Sequence, residues 1–274
     1  MDGAASRKVY RLGGGTVTPA TDWVAEEVPV ALEYNGISHA VMLATPCDLA
    51  DFALGFSLSE GLIDTRHELY GVEEVSGEQG ITLRMEVSAP AFARLKERRR
   101  TLAGRTGCGL CGTESLAALA RVLPVVAGTA RCTPAAVERA MASLAEHQAL
   151  QQRTGAVHAA AWCTTDGAVA CLREDIGRHN ALDKLIGALA RADIDVAQGF
   201  VAVTSRASYE MVQKAVSAGV GLLAAVSAPT TLAVTTAEQA GLTLVGFARQ
   251  HGAVIYSHPQ RIDLSATPAT AHAR

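Results

Sequence analysis

The sequence predicts an α/β protein: a three-layer α/β domain, with helices over both faces of one sheet, preceded by a smaller α+β domain. Three observations carry that reading. From residue 156 onward, short apolar runs alternate regularly with helical segments, the pattern of a sheet wound with helices. Two of the runs, Phe-Val-Ala-Val-Thr at 200–204 and Leu-Leu-Ala-Ala-Val at 222–226, are apolar at nearly every position, as strands buried on both faces require. Before residue 103 the strand and helix signals follow no such alternation, which marks that part as α+β.

The elements follow in order. Residues 1–20 are polar, with glycines at 13–15, and are expected to form a flexible arm; 21–103 is the smaller domain. Strands at 28–34 and 37–45 flank Asn35-Gly36, which favours a tight hairpin because both residues tolerate positive φ. After Pro46, Asp48 is expected to cap a helix in which Leu49, Phe52, Ala53 and Phe56 form one buried stripe, ended by Gly61. Strands at 69–75 and 81–87 follow, and Pro90 opens a charged helix. Residues 104–132 are expected to hold a mobile cysteine loop and a linking helix at 116–123.

Thr133-Pro134 marks a restart, since proline suits the first turn of a helix; that helix is expected to run to about Arg153. Then come strands at 156–162, 168–172, 200–204, 220–226, 242–247 and 253–256, with helices at 180–191, 208–217 and 231–240. The larger domain is placed at 133–262 and a loose tail at 263–274.

With 274 residues there is ample length for two cores. Charge is nearly balanced, 24 basic against 27 acidic residues, which argues against a nucleic-acid footprint. No apolar run reaches the roughly 18–20 residues that span a bilayer, and no apolar leader opens the chain. Six scattered cysteines do not form a disulfide framework. A soluble cytoplasmic protein with reduced thiols, no membrane and no nucleic-acid partner is expected.

The chemistry centres on Gly-Arg-Thr-Gly-Cys-Gly-Leu-Cys-Gly at 104–112, where Cys108 and Cys111 stand two residues apart. Lys96, Arg98, Arg99, Arg100 and Arg105 precede or adjoin them, and neighbouring cations stabilise a thiolate over a thiol. Four readings are open for such a pair: half a zinc site, a dithiol redox pair, a sulfur carrier, or a loop with incidental cysteines. A second pair with zinc-ligand spacing is missing, and the glycine-rich approach is unlike the strand-to-helix setting of a thioredoxin motif.

Two strand-to-helix junctions have anion-binding chemistry. One carries Arg178 and His179 ahead of a helix, where ordinary capping by Asn180 and Asp183 is the alternative of equal weight, since capping alone does not need Arg178 or His179. The other carries Arg206 and Ser208. A third strand ends in Phe247, Ala248, Arg249, Gln250, His251 and Gly252. A lone histidine such as His158 in an apolar strand is more often a satisfied core residue. The zinc-deaminase pattern H-x-E fails there, because Ala160 takes the place of the glutamate.

Together the cysteine loop, Thr154–His158 with the alanines after it, the stretches 174–187 and 205–214, and Gly-Leu-Thr-Leu-Val-Gly-Phe at 241–247 resemble the formate dehydrogenase accessory family FdhD. The resemblance runs in order through nearly the whole chain after the arm. It implies a sulfurtransferase: a cysteine desulfurase supplies persulfide sulfur, the C-x-x-C loop carries it, and the molybdenum or tungsten bis-guanine-dinucleotide cofactor receives it before insertion into formate dehydrogenase. By motif, Cys108 matches the persulfide-bearing cysteine and Cys111 its partner, while Phe247, Ala248, Arg249, Gln250, His251 and Gly252 match the cofactor-binding segment. Arg178, His179, Arg206 and Ser208 are then expected to complete an anion-holding rim for which a guanine nucleotide is a mimic. The resemblance also implies a cytidine-deaminase-like larger domain without its metal, and a homodimer. A cofactor-holding chaperone and a dithiol oxidoreductase are the alternatives.

Overall fold

The structure, a computed structural model, describes residues 2–102, 123–128, 130–249 and 252–266, with backbone alone for 98–102. Strands β3 (Val28–Tyr34), β4 (Ile37–Ala44), β5 (Leu69–Gly77) and β6 (Gly80–Val87) form a four-stranded sheet in the order β4-β3-β6-β5. Its inner face, with Leu32, Tyr34, Leu83 and Met85 fully or almost fully buried, packs on helices α1 (Leu49–Ser59) and α2 (Ala89–Leu102). The Asn35-Gly36 turn is present, with positive φ at both residues.

The larger part begins with α3 (Pro134–His147) and α4 (Ala149–Thr154). It continues through β7 (His158–Thr164), β8 (Val169–Asp175), α5 (Arg178–Arg191), β9 (Gly199–Val203), α6 (Tyr209–Ser217), β10 (Leu222–Ala225), α7 (Thr231–Ala240), β11 (Thr243–Arg249) and β12 (Gly252–Ser257). The sheet order is β12-β11-β10-β9-β7-β8. β9, β10 and β11 run parallel, and β7 runs antiparallel to both β8 and β9, so β8 shares their direction. Side chains alternate across it. Ala160, Trp162, Val201, Val203, Leu223 and Leu244 pack under α5, α6 and α7, whereas Ala161, Cys163, Phe200, Ala202, Leu222 and Val245 pack on α3. The three layers expected from doubly apolar strands are therefore present.

Four local expectations are corrected. The arm is an ordered ribbon, β1 (Ala4–Gly13) paired along its length with β2 (Thr16–Ala25); its strands are too polar and exposed to give an alternating burial signal. Asp48 adopts a left-handed conformation and makes no side-chain cap on α1. The helix expected to reach Arg153 breaks at Gln148, where Glu174 accepts from the N–H groups of Leu150 and Gln151 and starts a separate turn. Gly177, not Asn180, is the cap of α5, because the Asn180 side chain is committed to Leu43 and Asp175. The helix expected at 116–123 falls almost wholly outside the described residues.

The two parts are joined by α1 crossing α5 at a pair of glycines. A methyl on Gly55 would overlap the carbonyl of Asp183, and one on Gly187 would overlap that of Asp51. Buried charges cross the same seam. Lys184, fully buried, lies 2.7 Å from Asp175 and donates to Thr45 Oγ1 at 2.6 Å. Lys214 donates to both oxygens of Asp183 at 2.9–3.0 Å and to Glu60 at 2.7 Å. Arg173 and Arg191 both pair with Asp51. Among the described residues no helix is long and apolar enough to cross a membrane.

Candidate functional site

Because β8, β9, β10 and β11 share one direction, their carboxyl ends lie along one edge of the larger sheet, and α5, α6 and α7 start there. This edge is where ligands of open α/β sheets collect, and α5 and α6 start there without a side-chain cap bond, whereas Thr230 caps α7 through the N–H of Ala233. At a strand spacing of about 4.8 Å, the edge from β8 to β11 spans roughly 19 Å.

Its β8 end is built by Asp175. One carboxylate oxygen accepts from the N–H of Gly177 at 2.8 Å and from Asn180 at 3.0 Å. The other accepts from the N–H and hydroxyl of Thr45, each at 2.9 Å, beside Lys184. The turn 175–180 is thereby fixed and presents Arg178 and His179 at the edge. His179 Nε2 lies 2.7 Å from Glu210 Oε2, with Arg178 Nη2 3.9 Å from the same oxygen. The close approach of His179, aided by Arg178 and Lys214, holds the Glu210 carboxyl below its ordinary range despite partial burial. One turn along, Asp183 of α5 meets Lys214 of α6, so His179/Asp183 and Glu210/Lys214 form matching four-residue steps on facing helices. Burial opposes the charge on Lys214, but Asp183 and Glu60 together outweigh it and raise its pKa.

At the β9 end, Arg206 is exposed, and Ala207 bridges to Pro229, tying this loop to the one after β10. Ser208 occupies the cap position of α6 without making the cap bond; its buried Oγ has no partner, nor has Arg178 Nε. At the β11 end, Phe247 has a left-handed φ of 52° at a bulge, its N–H bonded to Ser227, and its ring is exposed. Ala248 is buried, and Arg249 donates through Nε to the Val226 carbonyl at 3.1 Å. Gly252 opens β12 at φ 141°, a conformation that favours glycine.

Arg178, His179, Arg206, Ser208, Phe247, Ala248, Arg249 and Gly252 are thus brought to one edge from three separate junctions. Cys108, Cys111, Arg105, Gln250 and His251 lie outside the described residues. Two residues join the edge beyond those named for it, and the first of them was expected to be a satisfied core residue. His158, at the amino end of β7, is only partly buried and opposite Asp175; burial, then Arg178 and His179, lower its pKa and favour the neutral ring. Glu210 is the second. Its signal was its position in the first turn of a helix, two residues past a cap lacking its bond. With three arginines, an exposed aromatic face and free helix N–H groups, the edge can hold an extended anion that also carries a ring.

Residues 25–263 match the model of the FdhD/NarQ family. The chain is 64% identical over 250 residues to the Sulfur carrier protein FdhD of Variovorax paradoxus, covering 91% of this chain and 89% of that one. It is 57% identical over 261 residues to the protein of the same name from Cupriavidus necator, covering 95% and 91%. Among solved structures, a candidate formate dehydrogenase accessory protein from Desulfotalea psychrophila matches with a TM-score of 0.75 at 22% identity, over 94% of this chain and 99% of that one, and so shares the fold. By its matched length and by these relatives, the chain belongs to the FdhD/NarQ family.

Proposed function

We propose that this chain is a sulfur carrier that takes persulfide sulfur from a cysteine desulfurase and delivers it to the bis-guanine-dinucleotide cofactor of molybdenum or tungsten destined for formate dehydrogenase. The observation that carries the sulfur role is the C-x-x-C at 108–111 in a chain 64% identical to a protein named a sulfur carrier. The convergence of Arg178, Arg206, Arg249 and Phe247 on one sheet edge supports the dinucleotide as cargo. Phosphates suit the cations and helix N–H groups, and a base suits the exposed ring.

In the first step the Cys108 thiolate, favoured by the basic run beside it in sequence, attacks the terminal sulfur of the donor persulfide. The donor's S–S bond breaks, a new one forms on Cys108, and the donor cysteine leaves as a thiolate, with no net redox change. In the second step the Cys111 thiolate attacks Sγ of Cys108. The terminal sulfur then departs toward the bound cargo as hydrosulfide, leaving a Cys108–Cys111 disulfide for a cellular thiol to reduce. Throughout, the edge residues hold and orient the cargo.

A deaminase-like reading of the larger domain is supported by a sheet that starts with the β7–β8 hairpin and continues outward from β7. Ala160, fully buried, replaces the acid/base glutamate of the metal-bearing pattern.

Charged hydrogen bonds of the kind an arginine makes to phosphate contribute about 1.5–3 kcal/mol, so Arg178→Ala and Arg206→Ala should each weaken GDP binding by about tenfold or more in calorimetry. Wild-type affinity in both variants would remove these residues from the rim, and no GDP binding by the parent chain would remove the rim itself.

A further inference from the structure

The relay from Cys108 to the cargo needs a proton that neither cysteine can give. The terminal sulfur of a persulfide is more acidic than an ordinary thiol and is an anion at neutral pH. When the Cys111 thiolate attacks Sγ of Cys108, the pair of the old S–S bond moves onto that anion. Unprotonated, it would have to leave as the sulfide dianion, and a sulfur leaves faster the weaker the base it forms. We propose that His179, as imidazolium, delivers the missing proton to the departing sulfur, and that Glu210 is the positioning residue that sets its ring. This role rests on the sulfur-carrier reading.

His179 follows the turn fixed by Asp175, and Glu210 lies in the first turn of α6, so an imidazole from one strand end meets a carboxylate from the next. Nε2 of His179 is buried and 2.7 Å from Glu210 Oε2, and the two side chains are 28% and 26% exposed. The approach is close but out of line, as acid–base pairs often are before a substrate arrives. With Nε2 turned to Glu210, Nδ1 is the nitrogen left for a ligand, and a carboxylate behind an imidazole fixes its tautomer and orientation. Around the pair stand Arg178 and Asp183 on α5, Arg206 and Lys214 before and on α6, His158 on β7 and, through Lys214, Glu60 on α1. Asp175 on β8 is committed to Thr45, Gly177, Asn180 and Lys184. The other residues placed at this edge are poorer donors. Arg178, Arg206 and Arg249 keep their protons, and a serine hydroxyl such as that of Ser208 is too weak an acid. Burial, then Arg178 and His179, favour the neutral ring of His158.

In the step, the Cys111 thiolate supplies the pair of the new disulfide bond. The bond from Sγ of Cys108 to the terminal sulfur breaks, and its pair takes the proton from Nδ1 of His179. The products are the Cys108–Cys111 disulfide, hydrosulfide and a neutral imidazole, which recovers its proton from solvent. The two cysteines are oxidised and the terminal sulfur is reduced by the same electron pair.

The test charges the full chain with a cysteine desulfurase and L-cysteine, removes the donor, and adds GDP as the stand-in for cargo. Intact mass reads the sulfur gained, a sulfide electrode reads its release, and rates are expressed per charged chain. A placed general acid contributes about 10²–10⁴-fold, so His179→Ala should slow release by about a hundredfold or more, and free imidazole should restore part of it. Glu210→Gln should slow release less. Plotted against pH, release by the parent should give a bell whose alkaline limb is missing in His179→Ala. Release by His179→Ala at the parent's rate would overturn the role of His179 and leave the sulfur carrier standing. Slowed release with neither recovery by imidazole nor a changed pH profile would mark a structural role and overturn it too. A parent that gains no sulfur would overturn the carrier reading itself, and a charged parent that keeps its sulfur would overturn the relay and the proton donor with it.

Discussion

Gly187→Ala is expected to cost about 3 kcal/mol of stability, the upper end of what forcing a methyl into a packed interior costs. The added carbon would meet the backbone carbonyl of Asp51, on a helix that cannot yield locally. α1 is pinned on its far side by Phe52 and Phe56 in the smaller core, and α5 by Leu182, Leu185 and Leu189 in the larger one. The two helices would have to part, and with them the Lys184–Thr45 hydrogen bonds and the Arg191–Asp51 pair. Urea unfolding is the measurement. Gly71→Ala is the control, since a methyl there meets nothing within 4 Å. Equal midpoints for the two variants would show that the crossing is not close-packed.

Asp183→Ala is expected to cost about 3–5 kcal/mol, because it strands Lys214, nearly fully buried, without its closest carboxylate pair. Glu60 retains one contact to the ammonium but lies on the more open side. Replacing both partners, as Asp183→Leu with Lys214→Met, should cost less than Asp183→Ala alone, since no bare charge is then left inside. Pairing raises the folded pKa of Lys214 above its ordinary 10.5. Its contribution is therefore complete below pH 10.5 and is lost only as pH rises through the higher folded value. Lys214 should accordingly give the parent's stability no pH dependence across neutral pH. Denaturant melts at pH 6, 7 and 8 check this; a double variant weaker than the single one would contradict the account.

Much of the fold was legible because burial writes itself into apolar periodicity. α7 falls at 231–240 as read, and the strands of the larger sheet fall within a few residues of their apolar runs. What periodicity could not show is what depends on a distant partner. Lysine is seldom fully buried, yet Lys184 and Lys214 are, because a carboxylate and a hydroxyl from other elements meet each of them. Asp48 and Asn180 carry capping side chains, but tertiary partners or a left-handed backbone claim them first. The arm gave no signal, since nothing among the described residues buries most of it. At the site, Arg178, His179, Arg206 and Ser208 were readable as strand-end residues, whereas Glu210 meets His179 across 31 residues of sequence through the packing of α6 on α5.

The central claim is that Cys108 carries sulfur. Incubation with a cysteine desulfurase and L-cysteine, followed by intact mass measurement, tests it most directly. The parent chain is predicted to gain the mass of one sulfur atom, removable by a thiol reductant, and Cys108→Ser to gain none while still binding GDP. A parent that gains nothing, or a Cys108→Ser chain that gains as much as the parent, would contradict it.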